Sequence, residues 1–141
     1  MSSIQGVSHA SLLLTLDNKP ALDEKKAELL GDASDSGWVL LNYVGPDTVH
    51  FAASGAGAVE QLSENLNDGQ TQYALVRIGG IQEKGSLKST VRDVFVTWIG
   101  PEVSVAEKTG KLLHESDAQS FLAPFHAAIT VCSREHFTTD R

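Results

Sequence analysis

From residue 38 onward, apolar residues fall in short blocks, and each block ends at a turn signal. Val39, Leu40, Leu41, Tyr43 and Val44 form a run closed by Gly45-Pro46-Asp47, which predicts a buried strand and a turn. Thr48 to Ala53 returns as a second strand. Val59, Leu62 and Leu66 recur at helical spacing and predict an amphipathic helix over residues 58–67, stopped by Asn67-Asp68-Gly69. Tyr73 to Ile78 reads as a third strand, followed by a flexible turn over Gly79, Gly80 and Gly85. Val91 to Ile99 is rich in β-branched and aromatic residues, which suit a pleated, buried surface. After Gly100-Pro101 the composition turns helical from Ser104 to about Leu122. Glu107 is placed to complete a capping box on Ser104, and Pro124 limits the run. Ala127 to Cys132 predicts a last strand, and Ser133 can cap a short helix over Arg134 to Phe137.

Ahead of these blocks, Pro20 suits the first turn of a helix over Ala21 to Leu30 that Gly31 would stop. Residues 1–19 then form an N-terminal extension or edge strand before a domain spanning residues 20–141. Ser11 to Leu16 is uncharged and apolar, and is either the end of an earlier helix or a strand. An exposed strand of this kind offers an unpaired edge to another chain. Leu12, Leu13, Leu14 and Leu16 are therefore candidates for self-association into a homo-oligomer. Paired strands with interspersed helices imply an α+β sandwich, since each helix must bury its apolar stripe against a sheet face.

A chain of 141 residues suits one domain and can bury enough surface to hold a core without staples. Cys132 is the sole cysteine, so no intrachain disulfide is possible, and a reducing, cytoplasmic setting is expected. The leucine run near the N-terminus is too short to span a bilayer and has no basic residue before it, so neither a signal peptide nor a membrane partner is expected. The net charge of −7 argues against nucleic acid as a partner, because phosphate selects for positive surfaces. That average hides an asymmetry. The window from Lys84 to Lys111 carries a local balance of +2, and the rest of the chain −9. A basic window in an acidic protein suits an acidic macromolecular partner.

The segment Val94-Phe95-Val96-Thr97-Trp98-Ile99-Gly100, with Glu102-Val103-Ser104 after it, resembles the strand-and-turn signature of the coactosins, within the actin-depolymerising-factor homology family. Lys108-Thr109-Gly110 resembles a second coactosin segment, Gln72 to Ile78 the family's preceding strand, and Ile129 to Ser133 its last strand and helix start. The similarity covers residues 37–137. It implies a mixed sheet of five or six strands flanked by helices on both faces, no cofactor, and binding to the side of filamentous actin without catalysis or strong severing. It also places the actin contact on the long helix after the Trp-Ile-Gly turn and on basic residues before the Trp strand. Here those positions hold Lys88 and Arg92, then Lys108, Lys111, Leu112 and His114, within or beside the basic window. Asp93 departs from the family's usual apolar residue and, beside Arg92, is expected to weaken its contact. By the same resemblance, partners that use the basic C-terminal extension of animal coactosins are not expected here, since the sequence shows no such extension up to Arg141.

Other chemistry is weaker. Cys132 and His136 lie four apart, the helical spacing of a nucleophile and a base. A cysteine at a strand end is more simply a small buried hydrophobe. His9, His50, His114, His126 and His136 lack the spacing of a zinc site. Trp98, in a continuous apolar strand, reads as core. The alternatives to actin binding are a self-assembling or ligand-binding α/β domain, or a minor Cys/His enzyme.

Overall fold

Strand residues alternate between two faces of a sheet, and in this chain both faces are apolar. The computed structural model describes residues 14–31, 36–56, 59–82 and 89–133. Among them, six strands form one mixed sheet: β1 (Thr15–Asp17), β2 (Gly37–Tyr43), β3 (Thr48–Gly55), β4 (Thr71–Gln82), β5 (Ser89–Ile99) and β6 (Ala127–Val131). Their spatial order is β1-β3-β2-β4-β5-β6. The centre is antiparallel, and each edge strand joins by a parallel pairing, β1 to β3 and β6 to β5.

Alternate residues feed two cores. Val39, Leu41, Tyr73, Leu75 and Phe95 face one way, where they meet Leu22 and Leu29 of α1 (Lys19–Leu29) and Ala118 and Leu122 of α4 (Glu115–Leu122). Trp38, Leu40, Ala74, Val76, Val96 and Trp98 face the other way, onto Leu62 of α2 (Val59–Ser63) and Leu66 just beyond it. The expected α+β sandwich, with helices on both faces, is the architecture found. Each fully buried leucine adds on the order of 1.5–3 kcal/mol, so both faces contribute to stability.

Several local expectations need correction. Gly79 and Gly80 are not a turn. They lie inside β4, where the register with β5 shifts between Ile78 and Ile81, as a bulge permits. Gly85 falls outside the described residues. The helix expected over 58–67 is shorter, and Leu66 reaches the core from a turn. The single helix expected from Ser104 to Leu122 is two, α3 (Val105–Leu112) and α4, separated at Leu113 and His114. Gly110 disfavours an unbroken helix, and the joint tightens through bonds from the Leu113 and His114 N–H groups to the Gly110 and Lys111 carbonyls. Cys132 is exposed rather than buried. The helix expected over Arg134 to Phe137 lies outside the described residues.

The N-terminal segment is used by its own domain. Thr15–Asp17 forms the edge strand, and Leu14 is buried in the core with Leu16 partly buried against it. The Leu14 N–H also donates to Asp117 Oδ2 of α4 at 3.0 Å. Leu14, expected to serve self-association, is thus withdrawn from any partner chain, whereas Leu12 and Leu13 lie outside the described residues.

The turn after β5 explains the glycine of Thr-Trp-Ile-Gly. The Trp98 Nε1–H donates to the Asn67 carbonyl at 2.8 Å, and the Gly100 N–H to the Gln70 carbonyl at 2.9 Å. That close approach of two backbones leaves no room for a side chain, and a Cβ on Gly100 would collide with the Asp68 carbonyl. Trp98 is 1% exposed, in the core role expected of it.

Candidate functional site

Helix α3 begins where its sequence says it should. Ser104 takes an extended conformation, and its Oγ accepts from the Glu107 N–H at 3.1 Å, the N-cap half of the expected capping box. The helix is unusual in what it does with its apolar residues. Each of its residues is exposed or only half-buried. Val105 and Leu112 are two turns apart on one side, with Thr109 between them, and Leu113 borders that side at the cap. Val105 is 80% exposed, Leu112 53% and Leu113 67%. A helix that contributes to a core turns such residues inward. This one leaves Val105 and Leu113 mostly in solvent, while the half-exposed Leu112 and the exposed Lys108 also border a small gap between α3 and Thr71, Tyr73, Thr97 and Ile99 of the sheet.

Something other than a buried stripe must therefore hold α3 in place. Lys111 lies on the far side of the helix from Leu113 and reaches back to the sheet. Its Nζ sits 3.8 Å from the centroid of the Tyr43 ring and donates to the Pro46 carbonyl at 3.0 Å. The Tyr43 hydroxyl is 2.9 Å from the Tyr73 hydroxyl and 2.8 Å from His114 Nδ1, and the Tyr73 hydroxyl donates to the Lys111 carbonyl at 3.4 Å. Below this cluster, Thr97 Oγ1 donates to Glu115 Oε2 at 2.8 Å. Burial raises both phenols, Tyr73 to about 12. The His114 imidazole is held below its ordinary value, first by burial and then by the charge of Lys111, against the opposing pull of Asp47 and Asp117.

The residues expected to bind a partner do not form one patch. Lys108, Lys111, Leu112 and His114 come together on α3 and its cap. Arg92 is exposed on β5, paired in register with Ile78, seven residues from the turn that leads to α3. At about 3.3 Å per residue that is roughly 20 Å along the strand. Arg92 also alternates in phase with Val94, Val96 and Trp98 and so belongs to the opposite face of the sheet from α4. Lys88 lies outside the described residues.

Asp93 requires a second correction. Adjacent strand residues point to opposite faces, so Asp93 turns away from Arg92 and into the protein. It takes a two-point ion pair from Arg77, Nε to Oδ1 at 2.7 Å and Nη2 to Oδ2 at 2.9 Å, and Arg77 Nη1 also donates to the Gly31 carbonyl at 3.0 Å after α1. The acid is satisfied there, and Arg92 is not its partner. Sequence reading missed Val105 and Leu113 as surface residues, because an apolar residue in an amphipathic helix is read as core. It also missed Tyr43, whose ring anchors Lys111 from a strand sixty-odd residues away in sequence.

Among the described residues, no group of three or more His, Cys, Asp or Glu side chains is arranged to hold a metal ion, and no helix is long and apolar enough to cross a membrane.

Comparison with known proteins bears on this geometry. The family described as cofilin/tropomyosin-type actin-binding protein matches residues 15–141. The drebrin-like protein of Mus musculus is 29% identical over 119 residues, which are 84% of this chain and 26% of that protein. The chain thus spans about a quarter of the length of that relative. The human coactosin-like protein superposes with a TM-score of 0.76 at 19% identity, covering 90% of this chain and 92% of the other. Mouse coactosin, described as an actin filament binding protein, superposes with a TM-score of 0.68 at 21% identity, covering 92% and 87%.

Proposed function

The chain belongs to the cofilin/tropomyosin-type actin-binding family, and from that premise we propose that it binds the side of actin filaments, using the exposed face of α3 as its principal contact. The observation that carries this reading is the outward display of Val105, Leu112 and Leu113 on a helix that buries none of its residues. An amphipathic helix whose apolar side faces solvent is complete only when a partner's groove covers it. Lys108 at the flank supplies attraction to an acidic partner, and Arg92, on the other face of the sheet, supplies a second, separate contact. Because Arg92 lies roughly 20 Å along the strand from the turn that leads to α3, and on the other face of the sheet, a partner touching both must wrap an end of the sheet or present two surfaces.

The protein acts by binding rather than by catalysis, in the cytoplasm, on the cytoskeleton. Charge-based contacts of this kind are screened by salt, whereas the apolar contacts of α3 are not. Severing is weak at most, since the basic residues are scattered rather than massed. High-speed co-sedimentation with actin filaments tests the proposal: the protein should pellet with filaments and stay in solution alone. Fluorescence microscopy of labelled filaments tests the second part, and a fall in filament length on addition of the protein would contradict it.

A further inference from the structure

Lys111 was expected to touch the partner, as one of several basic side chains around α3. Its geometry gives it another task. Its ammonium is already engaged on the Tyr43 ring and the Pro46 carbonyl, on the side of the helix away from Leu113, while its own carbonyl accepts from Tyr73. No residue of α3 is fully buried; Leu112 alone brings an apolar side chain to the small gap against Tyr73 and Ile99 of the sheet, so the helix has little apolar anchorage. The contact of the Lys111 ammonium with an aromatic face, its bond to the Pro46 carbonyl and the Tyr73 bond to its own carbonyl together tie the helix to the sheet. The other groups facing this point are Asp47 in the β2–β3 turn, Glu107 on α3, and His114 and Asp117 at and beyond the joint.

We propose that Lys111 and Tyr43 form a latch that holds α3 against the β2–β3 turn with its apolar side outward, and that Lys111 serves partner binding as a positioning residue rather than as a contact. The proposal rests on the reading of α3 as the actin-binding helix. The latch fixes the helix before the partner arrives, so the partner does not bear the cost of ordering it. Tyr43 reaches the joint as well as the helix, because its hydroxyl meets His114, so one ring sets both the tilt of α3 and the break before α4.

Three variants separate latch from contact. Lys111→Met keeps the aliphatic stem but removes the charge, Lys111→Arg keeps a cation that can stack on the ring and donate to the carbonyl, and Lys108→Met removes a flanking charge. In co-sedimentation with actin filaments, Lys111→Met should weaken binding about two- to fivefold, the scale of losing one exposed cation–aromatic contact. Lys111→Arg should restore most of it. The dependence of binding on salt should stay as in the wild type for Lys111→Met and become shallower for Lys108→Met, because only a side chain that meets the partner's charge adds to that slope. Amide hydrogen exchange without actin should show faster exchange over residues 105–112 in Lys111→Met, with the β4 and β5 amides unchanged. Combining Lys111→Met with Tyr43→Leu should cost no more binding than the worse single variant, since both break one latch. Unchanged exchange in α3, or a Lys111→Met variant with a shallower salt slope, would overturn the latch. If the wild-type protein itself does not pellet with filaments, the actin reading fails, and the exchange result decides the latch independently.

Discussion

Replacing Asp93 by alanine removes one half of a buried ion pair and leaves the other half behind. Arg77 and Asp93 have side chains only 8% and 7% exposed, and they meet at 2.7 Å and 2.9 Å in a two-point geometry. Truncating one partner of such a pair strands a charge in a low-dielectric setting, at about 3–5 kcal/mol. The Gly31 carbonyl, which also accepts from Arg77, is neutral and offsets only part of that. For a chain near 140 residues, a loss of that size lowers the melting temperature by roughly 10–20 °C. Urea unfolding followed by circular dichroism measures it as a shift of the midpoint at unchanged slope. The double variant Arg77→Met/Asp93→Leu, which removes both charges and fills the space, should recover most of the loss. An Asp93→Ala protein within about 1 kcal/mol of wild type would refute the reasoning, since that is the range of a surface pair and would mean that Asp93 is not half of a desolvated pair.

Other outcomes follow from the same geometry. Gly100→Ala should destabilise the protein by about 1–3 kcal/mol, read by urea unfolding, because the new Cβ meets the Asp68 backbone rather than a movable side chain. His114 is held below its ordinary value in the folded protein, so the unfolded chain takes up a proton first. Its share of stability is full above the ordinary imidazole value of 6.5 and is lost as pH falls from there through the lower folded value. Melting curves of His114→Gln should therefore depend less on pH than those of the wild type between neutrality and mild acid. Arg92→Glu should keep the wild-type melting temperature, because Arg92 is exposed, yet pellet less with actin filaments. Normal pelleting of that variant would remove the second contact and leave α3 alone.

The fold was legible because strand residues alternate. Trp38, Leu40, Val96 and Trp98 against Val39, Leu41 and Phe95 sort by a period of two that sequence states directly, and Ser104 and Glu107 mark the start of α3 just as plainly. What sequence could not supply was the use of each apolar residue. Val105 and Leu113 look like core residues of an amphipathic helix, and only the placement of α3 beside the ends of β4 and β5 turns them outward. The strand phase of Asp93 was available in principle, since neighbours in a strand oppose one another, but its partner Arg77 lies across the sheet in β4. Lys111 was read as a surface charge for a similar reason, because nothing near it in sequence points to the Tyr43 ring. The basic window was a property of the linear chain. Folding divides it between one end of β5 and the helix after the other.

The central claim is that the exposed apolar side of α3 is the actin-binding surface, and the most direct measurement is a co-sedimentation titration of Val105→Asp/Leu112→Asp against the wild type at a fixed filament concentration and two salt concentrations. Both side chains are exposed, at 80% and 53%, so the variant should melt like the wild type, while its filament affinity should fall by roughly a hundredfold or more, as expected for charge placed in the centre of a desolvated contact, at both salt concentrations. A folded variant that pellets with filaments as well as the wild type does would contradict the account and move the binding surface away from α3.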